Sequence, residues 1–394
     1  MTAVQNVLIS GASIAGPALA YWLGQHGIRA TLVEKAPAPR TGGYSIDLRG
    51  AAIDVAERMG VLDEIRAAIT DITRIAMVDA RGRTKAELDS SLLAPGDRSL
   101  EILRGDLVSL LLGAAGGAEY RYGDTITALE RRDDGVRVSF DRAEPATFDL
   151  VVGADGLHSN VRGLAFGPEQ PYRRFLESYV SIFTVPNHRG LDREVRLFNT
   201  PGKVLVLYQT PRAADAKALL LHRSPEETDI DRRPAEEQRR HLRAMFGGMG
   251  WETDRILSDM DQAPDFYFDS VTQIAMDRWS SGRIALLGDA GYCPSPMSGQ
   301  GTTLAMVGAY VLADELARHT EPGPALAAYE GRMRPYVAAN QAIADPGLAF
   351  IAPQSGLGIA ARNLTLKAGP LLSVLSRFGT KLSKASESVE LDAR

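Results

Sequence analysis

Residues 7 to 17 read V-L-I-S-G-A-S-I-A-G-P: an apolar run of strand length enters a Gly-rich turn and leaves it as a helix-forming stretch. Gly11 and Gly16 occupy the first and third glycine positions of a G-x-G-x-x-G dinucleotide-binding turn, and Ser13 stands at the second. Gly11 permits the tight turn, Gly16 permits close helix–strand packing, and the N–H groups from Ser13 to Ala15 at the helix start suit a pyrophosphate. Apolar spacing over Pro17–Gln25 predicts a helix, and Ala30–Val33 predicts a second strand ending in Glu34 and Lys35. The whole is a βαβ unit of about 30 residues, with an acid placed to accept hydrogen bonds from a ribose.

The same letters admit a second reading, G-A-S-I-A as a nucleophile elbow with Ala15 replacing its last glycine. That reading leaves Gly16 and Glu34 without a purpose. It also places a catalytic serine on the first strand of the chain.

Composition narrows the partner. The chain has 394 residues, 45% of them apolar, and a net charge of −5, which suits a globular protein and disfavours a nucleic-acid or anionic-membrane surface. A small-molecule ligand is the expectation. Cys293 is the only cysteine, so neither an internal disulfide nor a thiolate cluster can form. The six histidines show no i, i+4 pairing, and no metal is expected. No run approaches the roughly 18 apolar residues of a membrane span, and M-T-A-V-Q-N lacks the basic start of a secretory signal. A cytoplasmic protein is expected.

Beyond the first unit, helices are predicted at Ala51–Met59, Val61–Ile69 and Leu107–Ala114. The D-D-G at 133–135 sits between alternating runs and predicts a hairpin, and F-D-L-V-V-G-A reads as a buried parallel strand. From Tyr172 to Arg223 the period is mostly two, as in an antiparallel sheet with unlike faces. Ala235–Met245 is an amphipathic helix. The strand R-I-A-L-L-G-D-A then restores the α/β style, followed by a long helix near 301–319 and helical stretches near 324–344 and 364–383. The expected fold is α/β: a Rossmann-like dinucleotide-binding domain with an inserted antiparallel-sheet domain and C-terminal helices. The expected boundaries are 1–170 and 276–345 for the first domain, 171–275 for the insert and 346–394 for the tail.

Two further turns sharpen the class. G-A-D-G-L-H-S-N-V-R (153–162) ends one strand, and G-D-A-G-Y-C-P-S-P-M-S-G-Q-G (288–301) ends another and leads into a helix. With the first turn, this ordered triple resembles the fingerprints of the class A flavoprotein monooxygenases, the para-hydroxybenzoate hydroxylase-like family, over residues 4 to about 345. The resemblance implies FAD, with Gly288 and Asp289 at its ribityl region, Asp155 in a D-G segment that serves both FAD and NAD(P)H, and Arg104 at the FAD phosphates. It also places Pro296 beside the ring, and Gly299, Gln300 and Gly301 where a helix N-terminus faces negative charge on reduced flavin. R-T-G-G-Y-S-I-D (40–47) is similar to the tetracycline-inactivating branch, which implies contact of Arg40 with NADPH and of Asp47 with FAD. Ser13 for glycine and Gly291–Tyr292 for Ala–His are departures from the family pattern.

The implied function is a monooxygenase that consumes NADPH or NADH and inserts one atom of dioxygen into an aromatic, phenolic or polyketide-like molecule through a flavin C4a-hydroperoxide. A flavin oxidoreductase without oxygen insertion, or a non-catalytic FAD-binding protein, is the alternative. Isolated Trp22, Trp251 and Trp279 lack the paired pattern of a tryptophan-type halogenase. The sequence names no catalytic base. Phe183, Phe198 and Tyr208 of the alternating segment are the candidate substrate-lining residues.

Overall fold

Val7, Leu8 and Ile9 are fully buried because the strand Asn6–Ser10 has a parallel neighbour on each side, Arg29–Glu34 and Leu150–Gly153. A strand covered on both faces needs a continuous apolar run, and V-L-I supplies one. The computed structural model describes residues 4–39, 43–90, 98–209, 214–367, 383–389 and 391. Its first sheet continues outward through Glu119–Tyr122 on one side and Ile284–Leu286 on the other, all parallel, and closes on the short antiparallel strand Ser280–Ser281. Strands from residues 6 and 284 thus belong to one sheet. The chain leaves this layer and returns to it.

The helix Ala15–Gln25 buries Ala18, Leu19, Trp22 and Leu23, and Gly27 in the left-handed region (φ +71°) follows its end. Trp22 meets Tyr310 edge-on at 5.0 Å. Burying each large apolar side chain is worth about 1.5–3 kcal/mol. Tyr310 lies on the helix Gly301–Arg318, which is buried at every position from Thr302 to Leu316. A helix buried on every side forms the core of the domain.

The second sheet has seven strands in the order Tyr267–Ile274, Arg173–Pro186, Asp215–Arg223, Lys203–Gln209, Glu194–Thr200, Arg74–Val78 and Thr84–Asp89. Only Glu194–Thr200 with Arg74–Val78 is parallel. Two of these strands therefore come from ahead of position 171. One face packs on the helices Ala235–Phe246 and Thr253–Asp259 through Phe183, Leu205, Leu207 and Leu220. The other carries Val180, Ile182, Val206, Tyr208 and Val271, together with Tyr44 and Met297.

The ribbon Ser45–Arg49 with Ser99–Leu103 sets Asp47 opposite Glu101. The expected hairpin forms from Ile126–Arg131 and Val136–Phe140. C-terminal helices run Pro322–Gln341, Ala344–Ile351 and Gly356–Lys367. Most of the helix expected near 364–383 lies outside the described residues, as does Arg40. No described helix is long and apolar enough to cross a membrane.

Candidate active site

The three turns meet at the ends of the parallel strands. A Cβ at Gly11 (φ +105°) would lie 2.4 Å from the Ala154 carbonyl oxygen, and one at Gly16 would lie 2.0 Å from the oxygen of Gly11. Neither position accepts a side chain. Gly288 faces Ala15 and Ala305, so the starts of the helices Ala15–Gln25 and Gly301–Arg318 converge on it. Among the described residues, no side chain caps either N-terminus. Both positive dipole ends open at one place.

Glu34 closes the first turn from outside, accepting Ala12 N–H at 2.9 Å and Ala36 N–H at 2.8 Å. Each carboxylate oxygen keeps a second lone pair. Lys35 beside it is exposed. Ser13 Oγ accepts from Arg104 Nη2 at 2.7 Å. A guanidinium cannot take a proton, so this partner cannot activate the serine. The geometry is that of a cation held over the turn.

Asp155 binds inward. Its carboxylate accepts from Ser10 Oγ at 3.2 Å, Ser159 Oγ at 2.5 Å and Val161 N–H at 3.0 Å. Burial pushes its carboxyl above the usual range, against the pull of those donors. This aspartate ties the second turn to the end of the first strand.

The loop after Gly288 is held in an unusual shape. Ser295 takes a positive φ of +78°, accepts Met297 N–H and leaves Pro296 exposed. The N–H groups of Gly299 and Gln300 are already used, donating to Pro296 O at 3.1 Å and Ser298 Oγ at 3.1 Å. The expected donor set is thus narrower than the sequence suggests, with Gly301 at the helix start. The Gln300 side chain is fully buried, with no partner for either amide atom among the described residues. A Cβ at Gly299 would sit 2.9 Å from Asp47 Oδ2, and one at Gly301 would sit 3.7 Å from Asp289 Oδ1. Asp47 is in turn paired with Arg49 at 3.0 Å. Asp47, Asp289 and the 299–301 segment therefore share one wall.

Tyr44, Glu101, Tyr267 and Asp289 are only half-buried, yet loss of solvent dominates their titration. Partial exposure together with loss of solvent is what groups lining a cleft show. Burial, then the neighbouring Asp47, pushes Glu101 up to about 7. Burial raises Asp289, against Cys293 and Arg104. Tyr44 faces Tyr267 at 6.1 Å between ring centres.

Of the three aromatic candidates on the sheet, one reaches this side. Tyr208 lies on the cleft face and accepts Ser45 N–H at 3.2 Å. Phe183 and Phe198 are corrections to the sequence reading. Side chains alternate along a strand, and these two point to the opposite face, Phe183 among the helix-packing residues and Phe198 against Trp251 at 6.1 Å. The sequence reading also missed Tyr44, Arg49, Glu101 and Tyr267. The two-residue alternation of S-I-D-L-R and L-E-I-L was the available signal for Arg49 and Glu101.

The chamber fits a dinucleotide with a flavin ring. Two uncapped helix starts, glycines where a Cβ would collide, a cation over the turn and the unpartnered Gln300 amide all favour FAD.

Comparison with known proteins agrees. Residues 4–343 match the family described as FAD binding domain. A flavin-dependent monooxygenase from an unknown prokaryotic organism is 43% identical over 344 residues, covering 87% of this chain and 89% of that protein. Two crystal structures of tetracycline destructases superpose throughout. Tet(55) has a TM-score of 0.86 and 38% identity, covering 100% of both chains. Tet(51) has a TM-score of 0.87 and 33% identity, covering 99% of this chain and 100% of its own. The convergent turns and these relatives together make the chain a member of the FAD-binding class A flavoprotein monooxygenases.

Proposed function

We propose that the enzyme uses NADPH or NADH and dioxygen to insert one oxygen atom into a phenolic, enolic or polyketide-like small molecule. The observation that carries this reading is the cleft between the cofactor turns and the Tyr208 face of the seven-stranded sheet, walled by half-buried polar and aromatic groups. When bound, FAD supplies the redox chemistry: it accepts a hydride and activates dioxygen. The protein binds, orients and excludes water.

Each of those tasks has residues. The helix start after Gly11 and the Arg104 guanidinium receive the pyrophosphate, and Glu34 with Lys35 receives the adenosine ribose. Gly288, Asp289 and Asp47 hold the ribityl side, with Pro296 and the 299–301 segment at the ring. The start of Gly301–Arg318 favours negative charge there. Asp155 acts through the shape of its turn. Arg40 is proposed for the nicotinamide nucleotide. The likeness to tetracycline destructases makes tetracyclines the first substrates to test.

The experiment is stopped-flow mixing of the FAD-loaded protein with NADPH and a candidate substrate, with mass analysis of the product. Flavin reduction and a product heavier by one oxygen atom are expected. A protein that cannot be loaded with FAD, or whose flavin no nicotinamide reduces, overturns the reading.

A further inference from the structure

Tyr267 lies directly opposite Ile182 in the antiparallel pair, and Asp269 opposite Val180, which puts both on the cleft face of the sheet. The Tyr267 hydroxyl donates to Asp269 Oδ2 at 2.9 Å. The other oxygen, Oδ1, accepts Ser270 N–H at 2.8 Å and faces His158 Nε2 at 3.2 Å. On its far side His158 Nδ1 faces Glu169 at 3.1 Å. Only a doubly protonated imidazole can donate to both carboxylates. The two acceptors together push the His158 proton affinity up to about 9.

Asp269 thus accepts from Tyr267, from both the N–H and the hydroxyl of Ser270, and from His158. A tyrosine hydroxyl has one donor and two lone pairs, and the donor of Tyr267 is committed to Asp269. What it presents to the cleft is a hydrogen-bond acceptor. His158, Asp231 and Asp269 could be mistaken for a metal cluster, but Arg173 lies 3.3 Å from Asp231 and His158 bridges Asp269 and Glu169, so the protein supplies its own cations.

We propose that Tyr267 is a specificity-determining residue that selects a hydrogen-bond donor, a hydroxyl or N–H on the substrate's ring system, with Asp269 and His158 as the positioning residues that aim its lone pairs into the cleft. This rests on the reading of the cleft as the site of an aromatic or enolic substrate. A ligand whose hydroxyl is capped by a methyl group has no proton for Tyr267 and leaves that acceptor unpaired on binding.

The test is equilibrium binding to the FAD-loaded protein, by calorimetry, of 2-naphthol and 2-methoxynaphthalene. Wild-type protein is expected to prefer the naphthol by about tenfold. Tyr267→Phe should bring the ratio close to one by weakening the naphthol alone. In Asp269→Asn the side-chain amide can donate to Tyr267, freeing the phenol to turn its proton toward the cleft, so the ratio should fall to one or invert. The His158 Cε1 proton, followed by NMR, should titrate lower in that variant. A purely structural Asp269 would not exchange a preference for donors against one for acceptors.

Failure of wild-type protein to discriminate or to bind either probe overturns the proposal. So does a preference that survives Tyr267→Phe. A protein that oxygenates substrates but keeps its preference in Tyr267→Phe sinks this assignment alone. One that reads the naphthol through Tyr267 yet reduces no flavin sinks only the functional reading.

Discussion

Arg104 reaches back across the Gly-rich turn to Ser13, its Nη2 donating to the serine Oγ at 2.7 Å. The residues are far apart in sequence, and the contact sets the guanidinium over the helix start before any phosphate arrives. The substitution of serine for the usual glycine has thereby acquired a task, which is to orient a cation.

Replacing Ser13 by glycine removes one hydrogen bond and no charge. A hydrogen bond to a charged group is worth about 1.5–3 kcal/mol, and part of it is recovered when Arg104 finds a phosphate oxygen. Ser13→Gly should therefore load with FAD but bind it a few-fold more weakly. Arg104→Ala should cost roughly tenfold or more, read by fluorescence titration of the apoprotein. Fluorophosphonate labelling of Ser13 would revive the nucleophile elbow; no labelling is expected.

Gly299 and Asp47 form a second coupled pair. An alanine at 299 must hold φ near +63° and place its Cβ about 2.9 Å from Asp47 Oδ2. Left-handed backbone alone costs about 1 kcal/mol. Gly299→Ala should lower thermal stability and flavin retention, and adding Asp47→Ala should recover the steric part of the stability. Additive effects in the double variant would show that the carboxylate is not the obstacle.

The sequence made the parallel sheet readable because each of its key strands is covered on both faces and ends in a glycine turn. The seven-stranded sheet was harder. Arg74–Val78 and Thr84–Asp89 form its far edge, and their partner across the parallel pairing lies about 120 residues later, beyond any local pattern. The motif residues were visible because turns need particular residue types. Tyr44 and Tyr267 were not, since a cleft wall is made by distant segments whose side chains look like ordinary core. The choice of Phe183 and Phe198 failed for a related reason: alternation says that two faces exist, while only the packed structure says which one the helices cover.

Asp155 and Asp289 both end a strand, yet they should respond differently to replacement. Asp155 spends its oxygens on Ser10, Ser159 and the start of the helix Asn160–Phe166. Asp155→Ala should lose about 1–3 kcal/mol of stability in denaturant titration, with FAD affinity of the folded protein little changed. Asp289 lies in the cleft beside the 299–301 segment. Asp289→Ala should release FAD more readily while the unfolding midpoint of the apoprotein stays close to wild type. The reverse pattern would exchange the two roles.

Acid sensitivity should arise away from the site, at His222 and His241. Their Nε2 atoms are 2.9 Å apart beneath the helix Ala235–Phe246, so one proton is shared and a second has no acceptor. Burial, then His241 and Lys203, depress His222 to about 4, and burial also lowers His241. A histidine depressed in the folded state binds protons more readily when unfolded. The associated stability is therefore complete above pH 6.5 and is lost as the pH falls from there toward 4. A shift of that size corresponds to ~3 kcal/mol from His222. Denaturation midpoints measured between pH 7 and 4.5 should fall in the wild-type protein and fall less steeply in His222→Gln. An unchanged slope in the variant would place the acid-sensitive group elsewhere, and not at Glu101, Asp155 or Asp289, whose raised carboxyls favour the folded state as the pH falls.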